Sequence, residues 1–204
     1  MRLYVVCVAW LAVAGMLPAQ DPVVVLLQFD QKPNLPVVNS LHEELESLFE
    51  GAGIRLDLRH IETRPLRRKS ERAAVVHFSK GCAPPVAIRR REAEVKALAH
   101  VHQAGKRVLD LVEVNCRNVS EYISTAITTS DLGRLDMLYG RALARVVSHE
   151  LLHWMLNERN HTKSRLFCPH VQAHDLIAEG VTLEHGEIAR LRRFATENAV
   201  AGGL

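Results

Sequence analysis

One long helix constrains this chain more than any other segment. Ser130 or Asp131 can cap it, and the helical pattern runs from there to about Asn157. Leu143, Val146, Val147, Leu151, Leu152 and Met155 give it an extensive apolar surface, so it is expected to lie largely buried. Set into this apolar helix are His149, Glu150 and His153, in the order His-Glu-Leu-Leu-His. Histidines four apart lie one turn apart on the same face. There both imidazoles can reach a single ion at the usual Zn–N distance of roughly 2.0–2.1 Å. Glu150 is displaced sideways on the helix, where it can reach a water on that ion without itself being a ligand. Buried histidines need partners, and a metal is one.

A catalytic zinc takes three protein ligands and keeps one position open. His161 follows His153 by eight residues, too far to continue on the same face. The intervening Asn157-Glu158-Arg159-Asn160 is polar, and Asn readily takes the left-handed conformation that ends helices. If the chain turns there, His161 can fold back to the metal. The competing ligand is Glu179, in Leu176-Ile177-Ala178-Glu179-Gly180 on the next expected helix. His161 is favoured because it needs only one short turn. The remaining histidines are read more plainly. His170 and His174, four apart after Pro169, are taken as surface side chains rather than a second metal pair. His77, His100 and His102 fall on expected strands and are taken as ordinary. Tyr139 is read as packing rather than as an oxyanion donor.

The elements before the helix follow from periodicity. Val23 to Phe29 is a continuous β-branched and apolar run, a buried strand. From Val37 to Phe49, Val38, Leu41, Leu45 and Leu48 recur at helical spacing, and Gly51 and Gly53 end the helix. Ile54 to Leu58 alternates as a half-buried strand, completing a βαβ unit. Ala73 to Phe78 returns to strand character. Val95 to Val101 and Arg107 to Val114 flank Gln103-Ala104-Gly105-Lys106 as a hairpin. The C-terminal part, Ala173 to about Asn198, reads as helical, interrupted at Gly180 and Gly186. Strands come first and helices last, so the class is α+β with a mixed sheet.

With 204 residues, 48% hydrophobic and 24% charged, the chain has the balance of one globular domain, with aromatics at only 5%. A net charge of +3 is too small to argue for nucleic acid. The basic runs Arg64 to Arg72 and Arg89 to Arg91 lack interleaved aromatics and read as solvated surface. Arg2 followed by the apolar stretch Leu3 to Leu17, then Pro18-Ala19-Gln20, has the form of a signal peptide over residues 1–20. Residues 21–204 are then one exported domain, secreted or periplasmic, with no stable membrane insertion and no evident propeptide. Export puts Cys82, Cys116 and Cys168 in an oxidising compartment. Three pairings are open, each leaving one thiol over; Cys82 with Cys116 is preferred because each follows a strand. Asn118-Val119-Ser120 has the spacing of a glycosylation acceptor.

The run Arg141-Ala142-Leu143-Ala144-Arg145-Val146-Val147-Ser148, followed by His-Glu-Leu-Leu-His-Trp-Met-Leu-Asn-Glu-Arg-Asn-His, resembles small secreted bacterial zincin-like proteins. Their motif is His-Glu-Leu-x-His with a third His after seven residues. The resemblance is specific over residues 141 to 161, and the βαβ unit and later strands fit a metzincin-like zincin fold. It implies zinc held by His149, His153 and His161, with Glu150 as general base. Metzincins proper carry Gly and His where this chain has Leu156 and Arg159, and a Met-containing turn where this chain has no Met after Met155. The expected function is hydrolysis of peptide bonds in a peptide or protein substrate by a metal-activated water. The alternatives are a degenerate zincin-fold protein that binds zinc without catalysis, and a gluzincin-like peptidase using Glu179.

Overall fold

The computed structural model describes residues 22–61, 73–88 and 96–201. The expected signal segment and both basic runs lie outside the described residues. Strands β1 (Val23–Phe29), β2 (Leu56–His60), β3 (Ala73–Ser79), β4 (Ala99–Ala104) and β5 (Arg107–Asn115) form one sheet. Its order is β2-β1-β3-β5-β4. The first three pairings are parallel, while β4 and β5 pair antiparallel. The protein is therefore α+β with a five-stranded mixed sheet. No described helix is long and apolar enough to cross a membrane.

Helix α1 (Leu35–Glu50) follows β1 and returns the chain to β2, giving the expected parallel βαβ unit. Asn34 caps it, its side-chain oxygen accepting from the Val37 N–H at 3.1 Å, with Pro36 in the first turn where its missing N–H costs nothing. Val37, Leu41, Leu45 and Phe49 are fully buried on the inward face, each worth roughly 1.5–3 kcal/mol against exposure. After β5 come α2 (Cys116–Ile123) and a 3-10 turn, Thr129–Arg134. Then α3 (Leu135–Leu156), α4 (Ala173–Ile177) and α5 (His185–Ala201) complete the chain.

The long helix starts differently from expectation. Neither Ser130 nor Asp131 caps α3. Thr128 and Asp131 form a capping box around the preceding 3-10 turn, with the Thr128 backbone donating to Asp131 at 2.9 Å. Gly186 does not interrupt the last helix either, since it lies in the first turn of α5. Gly180 does break the chain, at φ +68°. Cys82 and Cys116 form a disulfide, and Cys168 is a free thiol.

Helices α1 and α3 lie side by side against one face of the sheet, and α3 is buried along most of its length. Their contact is close at Gly140. A Cβ there would lie 2.4 Å from the Val37 carbonyl oxygen and 2.8 Å from Ser40 Cβ, so only glycine fits. Alternation along the strands sends Val76, Phe78, Val101, Val112 and Val114 into this core. The opposite face carries a smaller apolar group, Val24, Leu26 and Ala73, and then turns polar.

Candidate metal centre

His149 and His153 leave α3 on one face, as their spacing requires. The helix stops at Asn157, which adopts the left-handed conformation at φ 46°, ψ 43°. Asn tolerates this geometry better than other residues with a Cβ. The turn sends the chain back across the end of the helix and delivers His161 to the same spot. Its Nε2 lies 3.1 Å from His149 Nε2 and 3.2 Å from His153 Nε2, and the helical pair is 3.3 Å apart. Donor atoms at the corners of a tetrahedron around an ion at about 2.05 Å stand about 3.3 Å from one another. Three imidazole nitrogens at these separations fit one zinc-sized ion.

The hydrogen bonds of the rings fix which nitrogen is free. His149 Nδ1 is 2.6 Å from the Leu166 carbonyl and His153 Nδ1 is 2.6 Å from the Glu158 carbonyl. A carbonyl only accepts, so both Nδ1 atoms carry the proton and both Nε2 lone pairs converge on the third ring. Burial, reinforced by the neighbouring rings, pushes His149 down to about 4, although its bond to Leu166 opposes the shift. Burial also lowers His153, and burial and then His153 lower His161. Neutral imidazoles are the form that binds metal.

Beneath the three rings lies Phe167, fully buried, with centroid distances of 5.4, 4.6 and 5.8 Å to His149, His153 and His161. The loop carrying His161, Leu166 and Phe167 is held by its own polar contacts. The Thr162 N–H donates to the Phe167 carbonyl at 2.7 Å, and the Phe167 N–H to Ser164 Oγ at 2.9 Å. The Ser164 hydroxyl in turn donates to the buried carboxylate of Glu187. One turn before His149, buried Arg145 pairs with Glu44 of α1 at 2.6 Å and donates to the Asp175 carbonyl at 2.7 Å.

Glu150 is buried beside the histidines, and burial pushes its carboxyl up to about 7, partly opposed by the hydrogen bond it accepts from the Val101 backbone. It lines a cavity of about 440 Å³ together with the three histidines, Val146 and the strand segment from Ala99 to Val101. That strand is β4, whose only partner in the sheet is β5, so its other edge is free among the described strands. Strand β3, the run Ala73 to Phe78 read from the sequence, offers no such edge: it lies between β1 and β5, and its ladder groups are taken on both sides.

Comparison with known proteins adds nothing to this geometry. No known family and no curated protein matches the chain.

The other sequence candidates fall in place around the centre. Glu179 does not join the three rings; its exposed carboxylate pairs with Arg134 at 3.1 Å. His170 and His174 are exposed. Tyr139 is fully buried and its hydroxyl donates to the Cys116 carbonyl at 3.0 Å, a packing role. Two features escaped the sequence reading. Phe167 sits in a stretch without periodicity, and nothing in the pattern marks it. His100 and His102, ordinary strand residues by their pattern, gather with Glu113 into a second group of ligand-type atoms, all within 4.8 Å of one another. Their two-residue spacing on a strand, which puts both rings on one face, was the available signal.

Proposed function

We propose that the protein is a zincin-like, zinc-dependent peptidase, exported by its N-terminal segment, with His149, His153 and His161 as the metal ligands and Glu150 as the general base. The observation that carries the reading is the convergence of three neutral imidazoles through Nε2, at 3.1–3.3 Å, beside a buried carboxylate. Zinc bound there would lower the pKa of a water to about 7 and polarise a substrate carbonyl. The Leu166 and Glu158 carbonyls hold the rings in the ligating tautomer, and Phe167 seals the underside of the site from water. Glu150 accepts the proton of the attacking water and passes it to the leaving amine, a role suited to a carboxyl whose affinity for protons lies near neutral pH. The free edge of β4 can hold an extended peptide by strand addition across the cavity mouth. The left-handed turn at Asn157, which brings a third histidine back to the helical pair, supports a metzincin-like reading, despite the longer spacing to that histidine and the missing methionine.

The test is hydrolysis of a broad peptide set with and without chelator, in the wild type and in Glu150→Gln. The expected outcome is chelator-sensitive cleavage that falls about 10²–10⁴-fold in the variant while zinc stays bound. Absence of chelator-sensitive cleavage from the wild type, with zinc bound, would leave the degenerate, binding-only reading standing instead.

A further inference from the structure

The face of the sheet turned away from α3 carries its own set of ligand-type side chains. His100 and His102 stand two apart on β4, so both leave the strand on the same side. Glu113 of β5 is directly opposite His100 in the pairing register, and His77 of β3 is directly opposite Glu113. The residues alternating with them, Val76, Val101, Val112 and Val114, are buried in the main core, which locks the polar row onto the outer face. Glu113 Oε2 lies 3.0 Å from His100 Nε2 and 3.4 Å from His102 Nε2. His102 Nε2 is shut off from solvent and yet makes no hydrogen bond. A solvent-shielded ring nitrogen that stands 3.4 Å from a carboxylate oxygen without a hydrogen bond to it calls for an explanation, and an ion held between them is one.

We infer that His100, His102 and Glu113 form a second binding site, for a divalent transition-metal cation, on the side of the sheet opposite the His-Glu-Leu-Leu-His helix. Two imidazoles and a carboxylate suit zinc, copper or nickel, whereas calcium and magnesium take oxygen ligands. The second oxygen of Glu113 faces His77 Nδ1 at 3.8 Å, and His77 Nε2 is bonded to Asp30 Oδ1 at 2.8 Å. This outer row orients the Glu113 carboxylate toward the two histidines in the way that outer partners hold metal ligands elsewhere. An ion here ties β4 to β5 next to the point where their register slips, between Val101 and Gln103. It thereby braces the strand that rims the cavity. The inference does not depend on the peptidase reading.

Zinc is the probe. The full chain, stripped with chelator and dialysed against zinc, is assayed for bound metal per chain by mass spectrometry. The wild type is expected to bind one equivalent more than the double variant His100→Ala/His102→Ala, and Glu113→Gln is expected to lose the same equivalent. A His149→Ala/His153→Ala variant retains it, so the two sites are counted separately. Equal zinc counts in the wild type and the His100/His102 variant would overturn the inference. If that variant fails to fold, Glu113→Gln decides on the same count, since it keeps the side-chain shape on an exposed face; an unchanged count there is equally fatal.

Discussion

Replacing His161 by Ala is the perturbation that separates the proposed ligand set from its rival. Structural zinc sites bind with about 10–16 kcal/mol over four ligands, so one imidazole is worth about 2.5–4 kcal/mol, or about 10²–10³-fold in affinity. The zinc-free protein should scarcely notice the change. His161 is exposed, and surface substitutions of this kind stay within about 0.5 kcal/mol. At a free zinc concentration about 100 times the wild-type dissociation constant, the wild type gains about 2.7 kcal/mol and a variant binding 100-fold more weakly gains about 0.4 kcal/mol. For a chain of this size the difference of about 2.3 kcal/mol corresponds to about 5–9 °C in melting temperature. Glu179→Ala removes only an exposed, solvent-screened ion pair with Arg134, which contributes little to stability, and should leave the zinc response intact. The assays are a competitive titration against a chromophoric chelator and thermal melts with and without zinc. If His161→Ala responds to zinc as the wild type does, or if Glu179→Ala loses the response, the three-imidazole assignment is wrong.

Asn157→Ala is expected to cost about 2–3 kcal/mol, combining the left-handed backbone with the lost bond from the Val108 N–H. Asn157→Gly should cost only about 1 kcal/mol, since glycine adopts that conformation freely; an alanine variant melting at or above the glycine variant refutes the argument. Gly140→Ala should destabilise by about 1–3 kcal/mol or more in denaturant titration, because neither the Val37 carbonyl nor Ser40 can retreat without separating α1 from α3. Asp131 is held down to about 2 by hydrogen bonds from the Thr128 hydroxyl, the Thr128 backbone and Arg134. Its contribution is therefore complete above the ordinary carboxylate range and fades as pH falls through that range toward about 2. Asp131→Asn should be less stable than the wild type at neutral pH, with the gap closing below about pH 4; a constant gap down to pH 2 would show that the charge is irrelevant.

Most elements were legible because their periodicities are local. The β-branched run of β1 and the helical spacing of α1 each announce themselves within a dozen residues, and so does the β4–β5 hairpin, although β4 runs through Gln103 and Ala104 and leaves only Gly105 and Lys106 as the turn. The cap of the long helix was misplaced because Thr128 and Asp131 close a 3-10 turn, and the pattern does not say which type of turn a capping box precedes. Strand order was out of reach for a different reason. An edge and a central strand share the same alternation, although the small residues Ala73 and Ala74 at the head of β3 fit burial on both faces. At the centre, His149, Glu150 and His153 were readable from one helical turn, and His161 from the breaker at Asn157. Phe167 and the pairing of His100 and His102 with Glu113 depend on loop path and on contacts across a hairpin, which no short window of residues contains.

The contacts around Asn157 explain why a short motif becomes a built site. Its backbone reverses the chain so that His161 meets the helical pair, and its side-chain oxygen takes the Val108 N–H at 2.9 Å. Two residues on, Arg159 donates to the Gly105 carbonyl at the hairpin turn. The end of α3 is thus fastened to the β4–β5 hairpin at the same place where the third histidine is delivered. Farther along, the Val101 backbone bonds the Glu150 carboxylate, so the β4–β5 hairpin is tied to α3 at Val101 and, at its turn and the start of β5, to the residues that directly follow the helix. The wall of the cavity and its proposed base are consequently positioned by the same backbone, and neither can shift without the other. Such shared anchoring is what holding a base within fractions of an ångström of its target requires, and it places the outer cluster of His100, His102 and Glu113 where an ion would stiffen that very strand.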